Sequence, residues 1–149
     1  EAIGIAGAAC AVGLPYVISF TVETDGRLPS GQPLEEAIYD VEELETAPLW
    51  YMVNCAHPDH FGDLFDPAQD WVQRIGGIRA NASRLSHAEL DQSTELDDGD
   101  PEEFGALYAD LATRLPALRV IGGCCGTDHR HVGAAGAACQ SHAATRVRA

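Results

Sequence analysis

Three cysteines stand where two predicted strands end, a placement that could bring them to one metal ion. Cys55 follows the apolar run 49–54, and Cys124 and Cys125 lie in the glycine-rich segment 122–127, GGCCGT. Strands two apart in a parallel sheet place their Cα atoms about 10 Å apart. Two thiolates with Zn–S bonds of about 2.3 Å can span that gap. Three sulfurs could therefore share one zinc ion, with a fourth position open as in catalytic sites.

Glycines flank the cysteine pair, and we expect them to orient it. Consecutive side chains of a strand point to opposite faces. Gly122, Gly123 and Gly126 are expected to let the backbone turn so that both sulfurs face one point.

The cysteines also allow other interpretations. A buried free thiol is common, and 69 residues between Cys55 and Cys124 match no local zinc-finger spacing. A disulfide within the adjacent pair would be strained, and one from Cys55 would need an oxidising compartment. We interpret Cys10 and Cys139 as core residues of Ala-rich helices.

The histidines give a weaker signal than the cysteines. His129 and His131 are two residues apart near a helix start, so they would not face one direction, and we expect both to be exposed to solvent. The other four, at positions 57, 60, 87 and 142, have no ligand spacing. The sequence offers no nucleophile elbow, and we assign no residue as a catalytic acid, base or nucleophile.

Helical and strand patterns alternate along the chain. Strands are predicted over 16–22, 49–54, 75–81 and 118–121, and helices over 2–12, 34–44, 59–72, 101–115 and 128–144. This alternation predicts a parallel α/β fold, and four βα units match the second half of a (β/α)8 TIM barrel. An open doubly wound sheet is the alternative, which the lack of a GxGxxG motif disfavours. Residues 89–103 hold eight acids and no base, so they are predicted to be a solvated loop.

Composition excludes several classes of function. The 149 residues carry 23 acids and 9 basic residues, all arginine, for a formal net charge of −14. Without lysine, Schiff-base chemistry and a P-loop are excluded. No basic stripe is present, so neither nucleic acid nor a membrane surface is an expected partner. The odd number of cysteines favours a reducing, cytoplasmic location.

Residues 2–22 carry no charge, but Gly13-Leu14-Pro15 divides them, so a membrane span or signal peptide is not expected. The chain opens with Glu1 rather than Met. We expect it to begin inside a longer protein.

Three segments together resemble a known family. SFTVETDGRLPSG (19–31), VNC (53–55) and GGCCGT (122–127) are similar in order and separation to the homocysteine S-methyltransferase family. Its zinc-dependent barrel also occurs in betaine–homocysteine methyltransferase and in the first module of cobalamin-dependent methionine synthase. The resemblance covers essentially residues 1–149 but only the C-terminal half of the barrel, its fifth to eighth strands.

The resemblance implies a function and a site. Cys55, Cys124 and Cys125 would hold Zn2+, and the homocysteine thiol would take the open position. The methyl donor would be a sulfonium compound, S-methylmethionine or S-adenosylmethionine, and the product methionine. Asn54 and Glu23, at strand ends, are expected to orient the zinc ligands or bind the amino group of homocysteine. The alternatives are that Asn54 only satisfies backbone groups and that Glu23 is only solvated.

The chain also departs from the family. His129 stands where the family usually has proline, and the first four strands are absent. Hydrophobic strand edges at 16–22 and 118–122 would be exposed, so a complementary half-barrel or a second copy of the chain is an expected partner. We expect the isolated chain to be inactive. The remaining alternatives are a structural or storage zinc-binding module, with His57 or His131 as fourth ligand, or an inactive truncated barrel without metal.

Overall fold

The structure, a computed structural model, describes residues 1–45 and 47–146, with side chains as far as residue 141. Five α-helices and four strands are formed by these residues. In chain order they are α1 (Ala2–Ala11), β1 (Ile18–Thr21), α2 (Leu34–Glu42), β2 (Tyr51–Asn54), β3 (Ile75–Ala80), α3 (His87–Gln92), α4 (Pro101–Arg114), β4 (Val120–Gly123) and α5 (His129–Arg146). Every predicted strand is present, each shortened or shifted by one to three residues.

The four strands form one all-parallel sheet. Their order is β1-β2-β3-β4, so each strand pairs with its neighbours in sequence. This confirms the predicted parallel α/β class. Consecutive order without a reversal is how strands follow one another in a barrel, whereas doubly wound sheets reverse their order. The sheet is compatible with half of a barrel, and the described strands form no closed one.

One face of the sheet is buried against helices. Alternate residues of the strands point to it and are buried, among them Phe20, Val53 and Ile78. They belong to one core with Ile38 of α2 and Leu111 of α4. Each such side chain contributes about 1.5–3 kcal/mol on burial. The intervening positions on the opposite face are polar, small or partly exposed.

Tyr108 of α4 fixes the carboxyl ends of the last two strands. Its hydroxyl accepts a hydrogen bond from the Ala80 N–H at 3.0 Å and donates one to the Gly122 carbonyl at 2.6 Å. Burial raises the pKa of Tyr108, so the hydroxyl keeps its proton. The helix itself begins where the Asp100 carboxylate accepts from the Glu102 and Glu103 N–H groups, with Pro101 in the first turn.

The predicted helix over residues 59–72 is wrong. Three short 3-10 helices stand there instead, Pro58–His60, Gly62–Leu64 and Asp70–Arg74. Phe61, Phe65 and Trp71 form a contacting aromatic row, and the four-residue spacing of the first two imitates a helical face. Pro67 and the Asp66 carboxylate, which accepts from the Ala68 N–H at 2.9 Å, form a turn that ends the helical path.

The acidic segment 89–103 is more ordered than predicted. Its start belongs to α3, which a capping box between Ser86 and Glu89 begins. Farther on, the Asp97 carboxylate accepts from the Ser83 hydroxyl. Within the described ranges 1–45 and 47–146, no helix is both long and apolar enough to cross a membrane.

Candidate metal centre

The three cysteines that were predicted to share a metal ion converge at the carboxyl end of the sheet. Cys55 follows β2, and Cys124 and Cys125 follow β4. Their sulfur atoms all lie within 4.8 Å of one another, and the Sγ atoms of Cys55 and Cys124 are 2.8 Å apart. Cys125 is exposed and the other two are partly buried. This group could hold a metal ion, and within the described residues no His, Asp or Glu ligand atom joins it.

Cys55 reaches the group through a strained turn. It has a φ of 57° and is the only non-glycine residue of the described chain with a positive φ. For a residue with a Cβ this conformation costs roughly 1–2 kcal/mol. Such strain persists where surrounding contacts impose it and is typical of functional positions. The Cys55 N–H still donates to the Arg79 carbonyl at 3.1 Å, which continues the β2–β3 pairing.

Asn81 connects the two cysteine-bearing turns. It follows β3, and only 1% of it is exposed. Its amide nitrogen donates to the Cys55 carbonyl and its amide oxygen accepts from the Cys125 N–H, both at 3.0 Å. Because a carbonyl can only accept and an N–H can only donate, these two contacts determine which end of the Asn81 amide faces each turn. The sequence pattern predicts no role for Asn81, although this polar residue directly follows a strand, as Cys55 does.

His87 and Glu23 form a second brace on the Cys55 turn. One ring nitrogen of His87 lies 2.6 Å from the Cys55 carbonyl and the other 3.0 Å from the Glu23 carboxylate. Both partners are acceptors, so a proton on each ring nitrogen satisfies both contacts. Burial alone would lower the pKa of His87, but these two hydrogen bonds outweigh it and raise the pKa. The sequence spacing predicts no role for His87.

The Cys124–Cys125 turn is held mainly by backbone. The Cys124 N–H donates to the Ala80 carbonyl at 2.8 Å, and the Ala82 N–H donates to the Cys125 carbonyl at 3.0 Å. Of the three glycines expected to turn the chain, only Gly126 has a positive φ, at 75°. Gly122 and Gly123 are extended residues of β4. Gly123 leaves room for Thr127, whose Oγ1 would clash with an added Cβ.

Burial and the neighbouring polar groups act on the Cys55 thiol in opposite directions. Burial and the contact with Cys124 raise the pKa of Cys55, while the Asn54 amide and the Arg79 guanidinium lower it. The net direction is upward, which favours the neutral thiol in the absence of other charge.

Asn54 lies beside the trio but binds the neighbouring strand. Its amide accepts from the Ser19 hydroxyl and donates to Thr21 Oγ1 at 3.0 Å. Asn54 therefore joins the tops of β1 and β2 through side chains on the face away from the helices.

The exposure predicted for His131 is wrong, whereas His129 is exposed as expected. His131 is completely buried, its Nδ1 accepting from the Asp128 N–H at 3.1 Å and its Nε2 donating to the Asp98 carbonyl at 2.7 Å. It fixes the acidic segment to the start of α5. His57 is also buried, which lowers its pKa to about 4, and its Nδ1 accepts from the Asp59 N–H. Neither histidine belongs to the cysteine group.

With this geometry established, comparison with known proteins identifies the family. The model of the homocysteine S-methyltransferase family matches residues 1–139. The chain belongs to this family. Methyl transfer is the chemistry for which the family is named, and the matched residues include the three converging cysteines. The comparison with curated proteins gave no significant match.

Proposed function

We propose that this chain carries the zinc site and the thiol-binding face of an enzyme that methylates homocysteine. The donor is a sulfonium compound, S-methylmethionine or S-adenosylmethionine, and the product is methionine. The observation that carries the proposal is the meeting of Cys55, Cys124 and Cys125 within 4.8 Å in a member of this family.

The donor set fits zinc. Thiolates are soft ligands that select zinc over magnesium, calcium or manganese. In a tetrahedral site with Zn–S bonds of about 2.3 Å, the sulfurs lie about 3.8 Å apart. The Sγ atoms of Cys55 and Cys124, now 2.8 Å apart, would separate by about 1 Å, a change within reach of side-chain rotation. Three protein ligands leave one position for a substrate, which is typical of catalytic zinc.

When bound, zinc would keep a coordinating thiol in its thiolate form at neutral pH. The chain's own residues supply the geometry. Asn81 holds both cysteine turns at a fixed separation, and His87 with Glu23 braces the Cys55 carbonyl. Outer contacts of this kind orient metal ligands and maintain affinity. Glu23 keeps a partly exposed carboxylate that can also receive the substrate's amino group.

The chemistry itself is a single displacement. The homocysteine sulfur attacks the donor's methyl carbon in line, and the old methyl–sulfur bond breaks with its electron pair going to the donor sulfur. The thiol proton is released to solvent. The sulfonium becomes a neutral thioether, and so does homocysteine, which becomes methionine. A neutral thioether is a weaker zinc ligand than a thiolate, so product leaves readily.

We further propose that the sheet is half of a (β/α)8 barrel. Support comes from its consecutive parallel order and from its one helix-covered face. The outer strands β1 and β4 each have an unpaired edge in the described chain. Other parallel strands, from a complementary half-barrel or a second copy, would pair there and enclose the site. The isolated monomer should therefore have no measurable methyl transfer, and activity of that monomer would contradict this part of the proposal.

Zinc analysis and X-ray absorption test the site directly. Protein purified without chelator should contain about one zinc per chain, and added homocysteine should change the coordination from three sulfurs to four. The variant Cys124→Ser should lose the metal, because a hydroxyl does not replace a thiolate ligand. Cys10→Ser, which changes a cysteine of α1 outside the group, is the matched control and should retain it.

The outcomes separate the possible functions. Zinc with four sulfur or nitrogen ligands before homocysteine is added would indicate a closed structural or storage site. A chain that binds no zinc would contradict the proposal altogether. Transfer of a deuterated methyl group from S-methylmethionine or S-adenosylmethionine to homocysteine, followed by mass spectrometry in the closed assembly, identifies the donor.

A further inference from the structure

Arg79 has no acidic partner among the described residues, although the chain is rich in acids. Its guanidinium makes no ion pair or hydrogen bond with the described residues. The other arginines with described side chains are all engaged. Four pair with carboxylates, and two bind backbone carbonyls: Arg74, Arg84, Arg114 and Arg130, then Arg27 and Arg119.

Arg79 is placed on the open face of the sheet, immediately below the cysteines. Its neighbours in β3, Ile78 and Ala80, are buried towards the helices, whereas Arg79 is exposed on the opposite side. It pairs in register with Asn54 and Gly122. Gly122 has no side chain, and the Arg79 Cγ lies 3.5 Å from where its Cβ would be. The arginine stem therefore covers the glycine, which lies two residues before Cys124.

Charge makes this position suited to an anion. The net charge of −14 repels a carboxylate at long range, so an anionic group needs a local cation to bind. No carboxylate in the described part of the chain pairs with the Arg79 guanidinium. A guanidinium offers a planar pair of donors that matches a carboxylate. An amino-acid thiol such as homocysteine has a carboxylate four bonds from its sulfur. Its sulfur can therefore reach the three cysteines while its carboxylate reaches Arg79 below them.

We propose that Arg79 binds the α-carboxylate of the amino-acid thiol whose sulfur occupies the open position of the cysteine trio. This inference rests on the proposed function and assigns one further residue to it. Arg79 would select amino-acid thiols over simple thiols and hold the sulfur in line with the donor. It takes no part in bond making.

The test compares three thiols on the zinc-loaded protein by isothermal titration calorimetry. Homocysteine has both charged groups, 4-mercaptobutanoate lacks the amino group, and 3-aminopropanethiol lacks the carboxylate. Arg79→Gln should weaken the two carboxylate-bearing thiols about 10- to 100-fold, the range of a charge-assisted hydrogen bond. Its affinity for 3-aminopropanethiol should not change.

Two other variants control for charge and for folding. Arg119→Gln removes the same charge at the amino end of β4, where the guanidinium lies over Trp50, and should leave all three affinities unchanged. Arg79→Lys keeps the charge without the planar donors, so it should give an intermediate loss for the carboxylate-bearing thiols only.

The titrations distinguish an error in the carboxylate role of Arg79 from an error in the proposed function. If wild-type protein binds the thiols and Arg79→Gln binds them equally well, or loses all three alike, the carboxylate role is wrong and the thiol site stands. If Arg79→Gln does not fold, two other results can overturn the inference. One is equal affinity of the wild type for homocysteine and 3-aminopropanethiol. The other is full affinity of Arg79→Lys for the carboxylate-bearing thiols. If the zinc-loaded wild type binds none of the thiols, the proposed function fails and this inference with it.

Discussion

The two turns that carry the cysteines reach the same point by different physical means. The Cys55 turn places the positive φ on the cysteine itself, at 57°, and side chains of Asn81 and His87 hold its carbonyl. The Cys124–Cys125 turn places the positive φ on Gly126, at 75°, and backbone hydrogen bonds hold it. One turn is strained and its carbonyl is held by side chains, whereas the other is relaxed and held mainly by backbone hydrogen bonds to Ala80 and Ala82.

This difference indicates where the site is sensitive. A turn that strains a non-glycine residue depends on its braces, because the strain favours another backbone conformation when a brace is removed. A turn with glycine at the strained position depends instead on the lack of a side chain there. Substitutions can therefore break each turn separately, or both together at the residue they share.

Asn81 is that shared residue, so its loss should have the largest effect. Asn81→Ala should raise the zinc dissociation constant about 10- to 100-fold, because an outer-shell brace is lost from both turns. The free energy of unfolding should fall by about 2 kcal/mol, since the Cys125 N–H is left without its partner. Competition with a chromogenic zinc chelator and urea unfolding measure the two effects.

Two further variants sharpen this result. Asn81→Asp keeps an acceptor for the Cys125 N–H but turns a carboxylate oxygen towards the Cys55 carbonyl, so only the Cys55 side should be lost. Gln73→Ala, at an exposed residue that donates to the Pro67 carbonyl, should change stability by less than about 0.5 kcal/mol. Wild-type zinc affinity in Asn81→Ala would mean that Asn81 does not brace the site.

Part of the fold and of this site could be predicted from the sequence. The strands could be predicted because their apolar runs and the cysteines that follow them are visible in the residues. Parallel pairing then brings strand ends to one edge, which placed the trio correctly. The helix over 59–72 was wrong because Phe61 and Phe65 have helical spacing while packing from 3-10 turns.

Asn81, His87 and His131 could not be predicted for a different reason. Each binds backbone carbonyl or N–H groups that are distant in sequence, such as the Asp98 carbonyl, 33 residues from His131. Backbone groups occur at every position, so no residue pattern reveals them as partners. The closest available signal was a polar residue directly after a strand, which describes Asn81 and Cys55 alike.

Gly126→Ala should break the relaxed turn alone and destabilise the protein by about 2–3 kcal/mol. The added Cβ requires a positive φ in a non-glycine residue, at roughly 1–2 kcal/mol, and would lie 2.7 Å from the Asp97 carbonyl oxygen. Gly136→Ala in α5, where an added Cβ meets nothing within 4 Å, should instead stabilise by up to about 1 kcal/mol. Equal stability of the two variants in urea unfolding would contradict the assignment of strain to Gly126.

Glycine at the two cysteine positions should have opposite effects in metal-free protein. Cys55→Gly should be about 1 kcal/mol more stable than Cys55→Ala, because glycine adopts the positive φ without strain. Cys124 has no positive φ, so Cys124→Gly should be about 0.5–1 kcal/mol less stable than Cys124→Ala. Urea unfolding in the presence of chelator compares the pairs, and the same order at both positions would show that the turns do not differ in strain.

The smallest effect concerns Asp97, which lies against the relaxed turn from outside. Hydrogen bonds from the Ser83 hydroxyl and then from the Gly99 N–H lower the pKa of Asp97. A carboxyl whose pKa is lower in the folded state stabilises it above the unfolded pKa of about 3.9, and this contribution is lost as the pH falls through the folded value. Asp97→Asn should therefore be less stable than wild type at pH 7, and the difference should shrink below about pH 4. Urea midpoints measured from pH 7 to pH 3 test this, and a difference independent of pH would mean that the Asp97 charge contributes nothing to the outer support of the Cys124–Cys125 turn.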